Sequence, residues 1–175
     1  MTTATSLYDM AVDLLGHAVA ALATTPSGAP ARQFVSVGDP AYDCCPLVSV
    51  HVRAGDRAPY GPAQSAGDSL HRSRTTTVNL FSFTVTTLRC VPVMQGGAGG
   101  IMSPTPADLS ASASEVYQDG WVLWNTLSRD LRAGTLWTGY PVRELELGPI
   151  VPANTSGGCG GWLLLLTAAL DGYVP

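Results

Sequence analysis

The chain has 175 residues and therefore accommodates one domain of ordinary size rather than two. Hydrophobic residues make up 46% of it and charged residues only 13%, about half the usual charged share, and a surface so poor in charge is usually covered by partners. The net charge is −4, and the arginines are scattered from Arg32 to Arg143 without forming a basic stripe, which argues against sequence-specific binding of nucleic acid.

The N-terminal residues 1–5 lack the basic and apolar regions of a signal peptide, and no apolar run approaches the roughly 20 residues of a membrane span. We therefore expect the protein to be made and kept in a cytoplasm and to have no membrane partner. In that reducing compartment its four cysteines favour buried thiols over a disulfide framework. They are Cys44, Cys45, Cys90 and Cys159.

The first half of the chain predicts one helix followed by three strands. Apolar residues recur at helical spacing over 7–23, and β-prone or alternating residues occupy 33–37, 45–53 and 76–93. Within 76–93 the apolar residues change parity, which indicates either a bulge or a strand buried on both faces. Residues 54–75 are rich in Gly, Pro, Ser and charge, and this segment is too long for an ordinary hairpin connection.

The second half begins with the clearest helix start in the sequence. Thr105 is placed as N-cap, Pro106 as the first helical residue and Asp108 as the acidic third position, and the helix is predicted to stop near Gly134. About 27 residues correspond to roughly 40 Å of helix. Its main apolar stripe comprises Leu109, Ala113, Val116, Tyr117, Gly120, Trp124, Leu127 and Leu131. Trp121 and Leu123 fall off this stripe and widen the apolar face towards a neighbour.

Two more strands complete the α+β order of helix, three strands, long helix, two strands. Residues 142–147 alternate, 148–161 read as a Pro- and Gly-rich connection, and 162–170 read as a strand buried on both faces.

Recognisable catalytic chemistry is not apparent from the sequence. His17, His51 and His71 have no nucleophile or carboxylate at a recognisable spacing, and two cysteines adjacent on a strand, Cys44 and Cys45, point to opposite faces, which is poor geometry for zinc. The glycine-rich segment 96–100 is not followed by the Lys-Ser/Thr of a phosphate loop. We therefore expect neither enzymatic activity nor a cofactor or metal.

Three short motifs carry a resemblance. They are Asp43-Cys44-Cys45 at the start of a strand, Leu88-Arg89-Cys90-Val91-Pro92-Val93 at the end of another, and Gly148-Pro149 followed by Gly157-Gly158-Cys159-Gly160-Gly161-Trp162. With them the chain resembles the tail terminator, or head-to-tail connector, proteins of long-tailed phages of the siphovirus type that infect Actinobacteria. The stretch between Pro149 and Gly157 is longer than in that pattern.

The resemblance implies a single tail-terminator-like domain over residues 1–175, with a mixed or antiparallel sheet and helices packed on one face. It also implies a virion protein of the head–tail junction, assembled in the host cytoplasm. Six copies would form a ring that caps the tail tube, stops its polymerisation and joins the head-side stopper or connector, while genomic DNA passes through the lumen.

In such a ring, residues 54–75 are either an arm that contacts a neighbouring subunit or a plain mobile loop. For the arm, Arg57, Arg72 and Arg74 are the candidate polar anchors and Tyr60 the buried contact, with Trp121 as a further contact on the long helix. The cysteine motifs leave two alternatives open. Either the thiols stay buried, or Cys44 or Cys45 pairs with Cys90 or Cys159 in the mature particle.

Other functions remain open at this point. Within the same class, the chain could be a head–tail stopper or a tail completion protein. In other classes, it could be a small soluble enzyme or ligand-binding module, or a bacterial structural protein, and a pocket lined by His51 and the cysteines would favour the enzyme.

Overall fold

The computed structural model describes residues 7–38, 46–60, 76–97, 100–153 and 158–170. Within these ranges the elements are α1 (Leu7–Leu22), β1 (Arg32–Val37), β2 (Leu47–Tyr60), β3 (Thr76–Cys90), β4 (Gln95–Gly97), β5 (Gly100–Met102), α2 (Pro106–Ala133), β6 (Val142–Pro152) and β7 (Cys159–Leu170). In the described part of the chain, neither helix is long and apolar enough to cross a membrane.

A five-stranded mixed sheet organises the domain, with strand order β1-β2-β3-β7-β6. β1 runs parallel to β2, and the other neighbours are antiparallel. β4 and β5 form a separate two-stranded hairpin. The predicted α+β fold and its order of helices and strands are confirmed, with this hairpin as an addition.

Both helices pack on the same face of the sheet, which we call the helix face. Alternation along a strand sends every second side chain to this face, and these side chains form one core with the buried sides of α1 and α2. The core includes Met10, Leu14, Leu22, Val48, Val50, Phe83, Val85, Leu123, Leu127, Leu164 and Leu166.

β3 is buried on both faces, which explains the change of parity in its sequence. Phe83 and Val85 on the helix face and Thr84 and Thr86 on the opposite face are all buried. β3 lies between β2 and β7 in the sheet, so neither of its edges reaches solvent along the paired residues. The extra residue of the bulge lies in β2, where the register shifts between Arg53 and Asp56.

The prediction that a loop begins at residue 54 is wrong, because β2 continues to Tyr60 opposite Thr76. Pairing of the backbone with β3 outweighs the low strand propensity of this Gly- and Pro-containing segment. β1 pairs with β2 only as far as Val52, so beyond it β2 has a free edge on that side among the described residues. Such an edge tolerates Pro59.

The caps of α2 agree with the prediction. The Thr105 hydroxyl accepts a hydrogen bond from the Asp108 amide at 3.1 Å, and the Asp108 carboxylate accepts bonds from the Thr105 hydroxyl and amide at 2.7 and 3.2 Å. These bonds lower the pKa of Asp108, with the Thr105 side chain as the largest cause. Gly134 ends the helix in the left-handed conformation, with φ of 66°.

The prediction of which side of α2 is buried needs a correction. Leu123, which was placed outside the apolar stripe, is fully buried in the core, whereas Trp124 is 37% exposed. The buried side of the helix faces both α1 and the sheet, so its direction is set by the position of those elements and not by the helical pattern alone.

The connection predicted at 148–161 is also shorter than expected, because β6 extends to Pro152 and β7 begins at Cys159. A register shift in β6 between Leu147 and Ile150 accommodates Gly148 and Pro149. At the start of β7, a Cβ atom on Gly161 would overlap the carbonyl oxygen of Thr87. Glycine thus lets β7 approach β3 closely.

α1 is held against the rest of the core by polar contacts as well as by packing. Trp137 donates its indole N–H to the Met10 carbonyl at 2.8 Å, and its ring lies 4.8 Å from that of Phe83. His17 on α1 lies 2.8 Å from the Asp130 carboxylate on α2. These contacts fix the two helices relative to each other.

A buried ion pair joins the sheet to α2. Arg89 on β3 and Asp119 on α2 are 7% and 1% exposed. The Arg89 guanidinium donates to both carboxylate oxygens, from Nε at 2.6 Å and from Nη2 at 3.2 Å. It also donates to the carbonyls of Ser27 and Gly28 in the connection between α1 and β1. One side chain therefore ties three parts of the fold together.

Arg89→Met should cost about 3–5 kcal/mol of unfolding free energy, because it leaves the Asp119 carboxylate buried without its partner charge. Urea unfolding followed by circular dichroism measures this. The control is Arg129→Ala, which removes an exposed pair with Asp130 at 3.4 Å and should cost less than about 1 kcal/mol. The double variant Arg89→Met/Asp119→Leu should recover part of the loss. If Arg89→Met and Arg129→Ala lowered the unfolding free energy equally, the anchoring role of Arg89 would be contradicted.

Candidate interaction surface

An exposed aromatic cluster lies where α2 crosses the start of β7. It consists of Tyr117, Trp121 and Trp124 from α2 and Trp162 from β7, and we call it the aromatic surface. With Gly120 and Ile150 these side chains line an open groove of about 330 Å³. The groove is apolar, and Tyr117 is the one residue of its lining with an ionisable side chain.

Trp162 forms the floor of the groove because α2 lacks a side chain above it. A Cβ atom on Gly120 would lie 2.6 Å from the indole nitrogen of Trp162, so only glycine lets the ring lie against the helix. The indole N–H donates to the Val116 carbonyl at 2.6 Å, and the ring packs 5.7 Å from that of Tyr117. A hydrogen bond and an aromatic contact thus hold Trp162 in place.

The aromatic residues of α2 occupy one side of the helix, since positions 117, 121 and 124 follow the i, i+4, i+7 spacing. Tyr117 and Trp121 are 65% and 69% exposed, although aromatic side chains of this size normally contribute to cores and interfaces. Trp and Tyr are also the residues that dominate binding energy at protein–protein interfaces. The arrangement is therefore suited to binding an apolar partner surface.

The N-terminal half of α2 extends away from the core. None of residues 106–118 is buried, and Asp119, the partner of Arg89, is the first buried residue of the helix. Thirteen helical residues span about 20 Å. This half carries Leu109, which is 48% exposed. A helical segment whose side chains are so little buried is typical of a segment that contacts another molecule.

Of the predicted contact residues, Trp121 lies at the centre of the aromatic surface. Arg57 and Tyr60 lie in β2, but their side chains fall outside the described part of the structure, as do Arg72 and Arg74 entirely. The sequence prediction missed Tyr117, Trp124 and Trp162 because it assigned them to buried faces. The i, i+4, i+7 spacing of the aromatic residues on α2 was the signal that could have found Tyr117 and Trp124, whereas no such signal marks Trp162 on β7.

The cysteines and histidines that the structure describes do not line the groove. Cys90 and Cys159 stand opposite each other on β3 and β7, and His51 is buried on the face of the sheet without helices. Cys44, Cys45 and His71 lie outside the described residues. Among the described residues, no three His, Cys, Asp or Glu side chains are grouped so as to hold a metal ion.

Gly120→Ala should destabilise the protein by about 1–3 kcal/mol, because the added methyl group displaces the Trp162 indole and breaks its bond to Val116. Urea unfolding gives the free energy. Gly16 on α1 offers a matched control, since no atom lies within 4 Å of a Cβ placed there. Gly16→Ala should therefore stabilise the helix by about 0.5–1 kcal/mol. A neutral effect of Gly120→Ala would show that the indole does not need the glycine.

No protein-family model matches the sequence, and no curated protein matches it significantly.

Proposed function

We propose that the protein is a non-catalytic structural subunit that assembles with copies of itself through the aromatic surface. The observation that carries this proposal is the exposure of Tyr117 and Trp121 beside an apolar groove on an otherwise well-packed domain. Burying two such rings in a partner supplies a large hydrophobic contribution at little cost in side-chain entropy.

A second copy of this chain is the occupant that fits the groove best. The part of α2 that precedes the groove, residues 106–115, contains no buried residue and presents an exposed apolar side chain, Leu109, while the groove lies further along the same helix. One subunit can place its projecting segment in the groove of the next. Contacts between two different surfaces of one chain are heterologous, and they close into a ring when the rotation between neighbours permits.

Within this class we propose a tail terminator of a long-tailed phage. The support is the set of cysteine- and glycine-containing motifs described above, together with the α+β fold with helices on one face that the resemblance implies. In this proposal a six-membered ring caps the tail tube and contacts the head-side connector, and DNA passes through its lumen. In this proposal Arg57 and Tyr60, in the last part of β2, and Arg72 and Arg74, in the following segment, contact a neighbouring subunit.

Trp121→Ala should weaken self-association about 30-fold or more while leaving the unfolding free energy within about 0.5 kcal/mol of the original. The side chain is 69% exposed, so it contributes little to the core and much to an interface. Analytical ultracentrifugation over a concentration series measures the association, and urea unfolding the stability.

Tyr117→Ala and Tyr8→Ala form a matched pair, because the two tyrosines are 65% and 64% exposed on different helices. Tyr117→Ala should weaken association, and Tyr8→Ala should leave it unchanged. Equal effects would contradict the assignment of the interface to the aromatic surface.

Electron microscopy of the protein mixed with tail tubes of its own phage tests the terminator itself. A six-fold ring at one end of each tube is expected. A twelve-fold ring would identify an adaptor instead, and failure to form a ring either in solution or on tubes would overturn the assembly proposal.

A further inference from the structure

The β3–β7 ladder places two cysteines directly opposite each other. Cys90, at the end of β3, pairs with Cys159, at the start of β7, and both are thiols in the structure. Directly opposed residues in a sheet point to the same face. Because Arg89 points towards α2, its neighbour Cys90 points to the opposite face, and Cys159 does the same.

Hydrogen bonding at the end of the ladder defines how close the two residues are. The Val91 amide donates to the Gly158 carbonyl at 2.7 Å, which makes Val91 and Gly158 a hydrogen-bonded pair. The adjacent positions, Cys90 and Cys159, therefore form a narrow pair of the antiparallel ladder, in which the two residues do not bond to each other's backbone, and in such pairs the Cα atoms lie about 4.5 Å apart. Disulfides form at Cα separations of about 4.4–6.8 Å.

The glycines around Cys159 hold this register. Gly158 has a left-handed backbone conformation, with φ of 82°. A Cβ atom on Gly160 would lie 2.9 Å from a Val91 methyl group, and a Cβ atom on Gly161 would overlap the Thr87 carbonyl oxygen. A side chain at 161 would overlap the β3 backbone, so it would push β7 away from β3 and separate the cysteines, whereas one at 160 would have to displace the Val91 side chain. The close approach of the two backbones thus keeps the sulfur-bearing side chains adjacent.

We propose that Cys90 and Cys159 are a redox modification site, a pair of thiols across two strands that a small disulfide such as oxidised glutathione converts into an intramolecular disulfide. Cys90 is exposed and Cys159 is 8% exposed, so the oxidant meets Cys90 first. This proposal is independent of the proposed assembly and differs from the pairings with Cys44 or Cys45 that the sequence suggests.

The reaction proceeds in two thiol–disulfide exchanges. The Cys90 thiolate attacks one sulfur of oxidised glutathione, forming a mixed disulfide and releasing one glutathione thiolate. The Cys159 thiolate then attacks the Cys90 sulfur, which forms the protein disulfide and releases the second glutathione. Two protein thiols are oxidised, one oxidised glutathione is reduced to two glutathione molecules, and the two thiol protons pass to the released thiolates.

The bond would close a covalent loop that contains α2 and β6 and would fasten the two central strands of the sheet at their ends. Such a loop removes conformations from the unfolded chain and so stabilises the native state. A chain that moves from a reducing to an oxidising environment would become more resistant to unfolding, with no change in the position of the aromatic surface.

The test uses the full-length chain equilibrated with mixtures of reduced and oxidised glutathione, followed by alkylation of thiols and mass spectrometry of non-reduced peptides. We expect a Cys90–Cys159 crosslink in monomeric protein, and the same crosslink in a Cys44→Ser/Cys45→Ser variant. Its equilibrium constant should be about 30-fold or more larger in the native variant than in the urea-unfolded variant.

Cys90→Ser is the matched control, because it removes the exposed thiol and leaves the buried position intact. It should abolish the crosslink, with circular dichroism confirming that the variant is folded. A crosslink to Cys44 or Cys45 in the original chain, a glutathione adduct on Cys90 that does not resolve, or equal constants in the native and unfolded variant would each overturn the proposal.

Discussion

The buried pair of Arg89 and Asp119 determines how the two halves of the domain fit together. A guanidinium and a carboxylate are removed from water at the point where α2 leaves the core, and their burial is tolerated because both carboxylate oxygens and further backbone carbonyls satisfy the arginine donors. The planar fork of arginine imposes a definite geometry on its partner. The pair therefore fixes the position of α2 on the sheet and, with it, the place from which the exposed half of the helix projects.

Two glycines allow the close contacts at and beside the aromatic surface. Gly120 leaves room on α2 for the Trp162 ring, and Gly161 lets β7 lie close to β3. In a helix or strand interior glycine is unfavourable by roughly 0.5–1 kcal/mol relative to alanine, so its presence at both contacts indicates that close approach matters more than local propensity. The result is a groove whose floor is rigid while its rim, Tyr117 and Trp121, is exposed to solvent.

The start of β7 serves two features at once because consecutive residues of a strand point to opposite faces. Trp162 reaches the helix face and completes the groove, whereas Cys159 reaches the opposite face and meets Cys90. The two features share one strand backbone and lie on opposite faces of the sheet. A change in the oxidation state of the cysteines would therefore alter the stability of the domain without remodelling the aromatic surface, which suits a subunit that assembles first and experiences an oxidising environment later.

The sequence was sufficient to predict those features that depend on residues close together in the chain. The cap at Thr105 and Asp108, the stop at Gly134 and the α+β order all depend on hydrogen bonds and side-chain periodicity within a few residues, and these were predicted correctly. The burial of Leu123 in place of Trp124, the continuation of β2 to Tyr60 and the pairing of Cys90 with Cys159 depend on contacts between segments far apart in the chain. Only the tertiary structure decides these, because the register of strands and the rotation of a helix are set by the surfaces against which they pack.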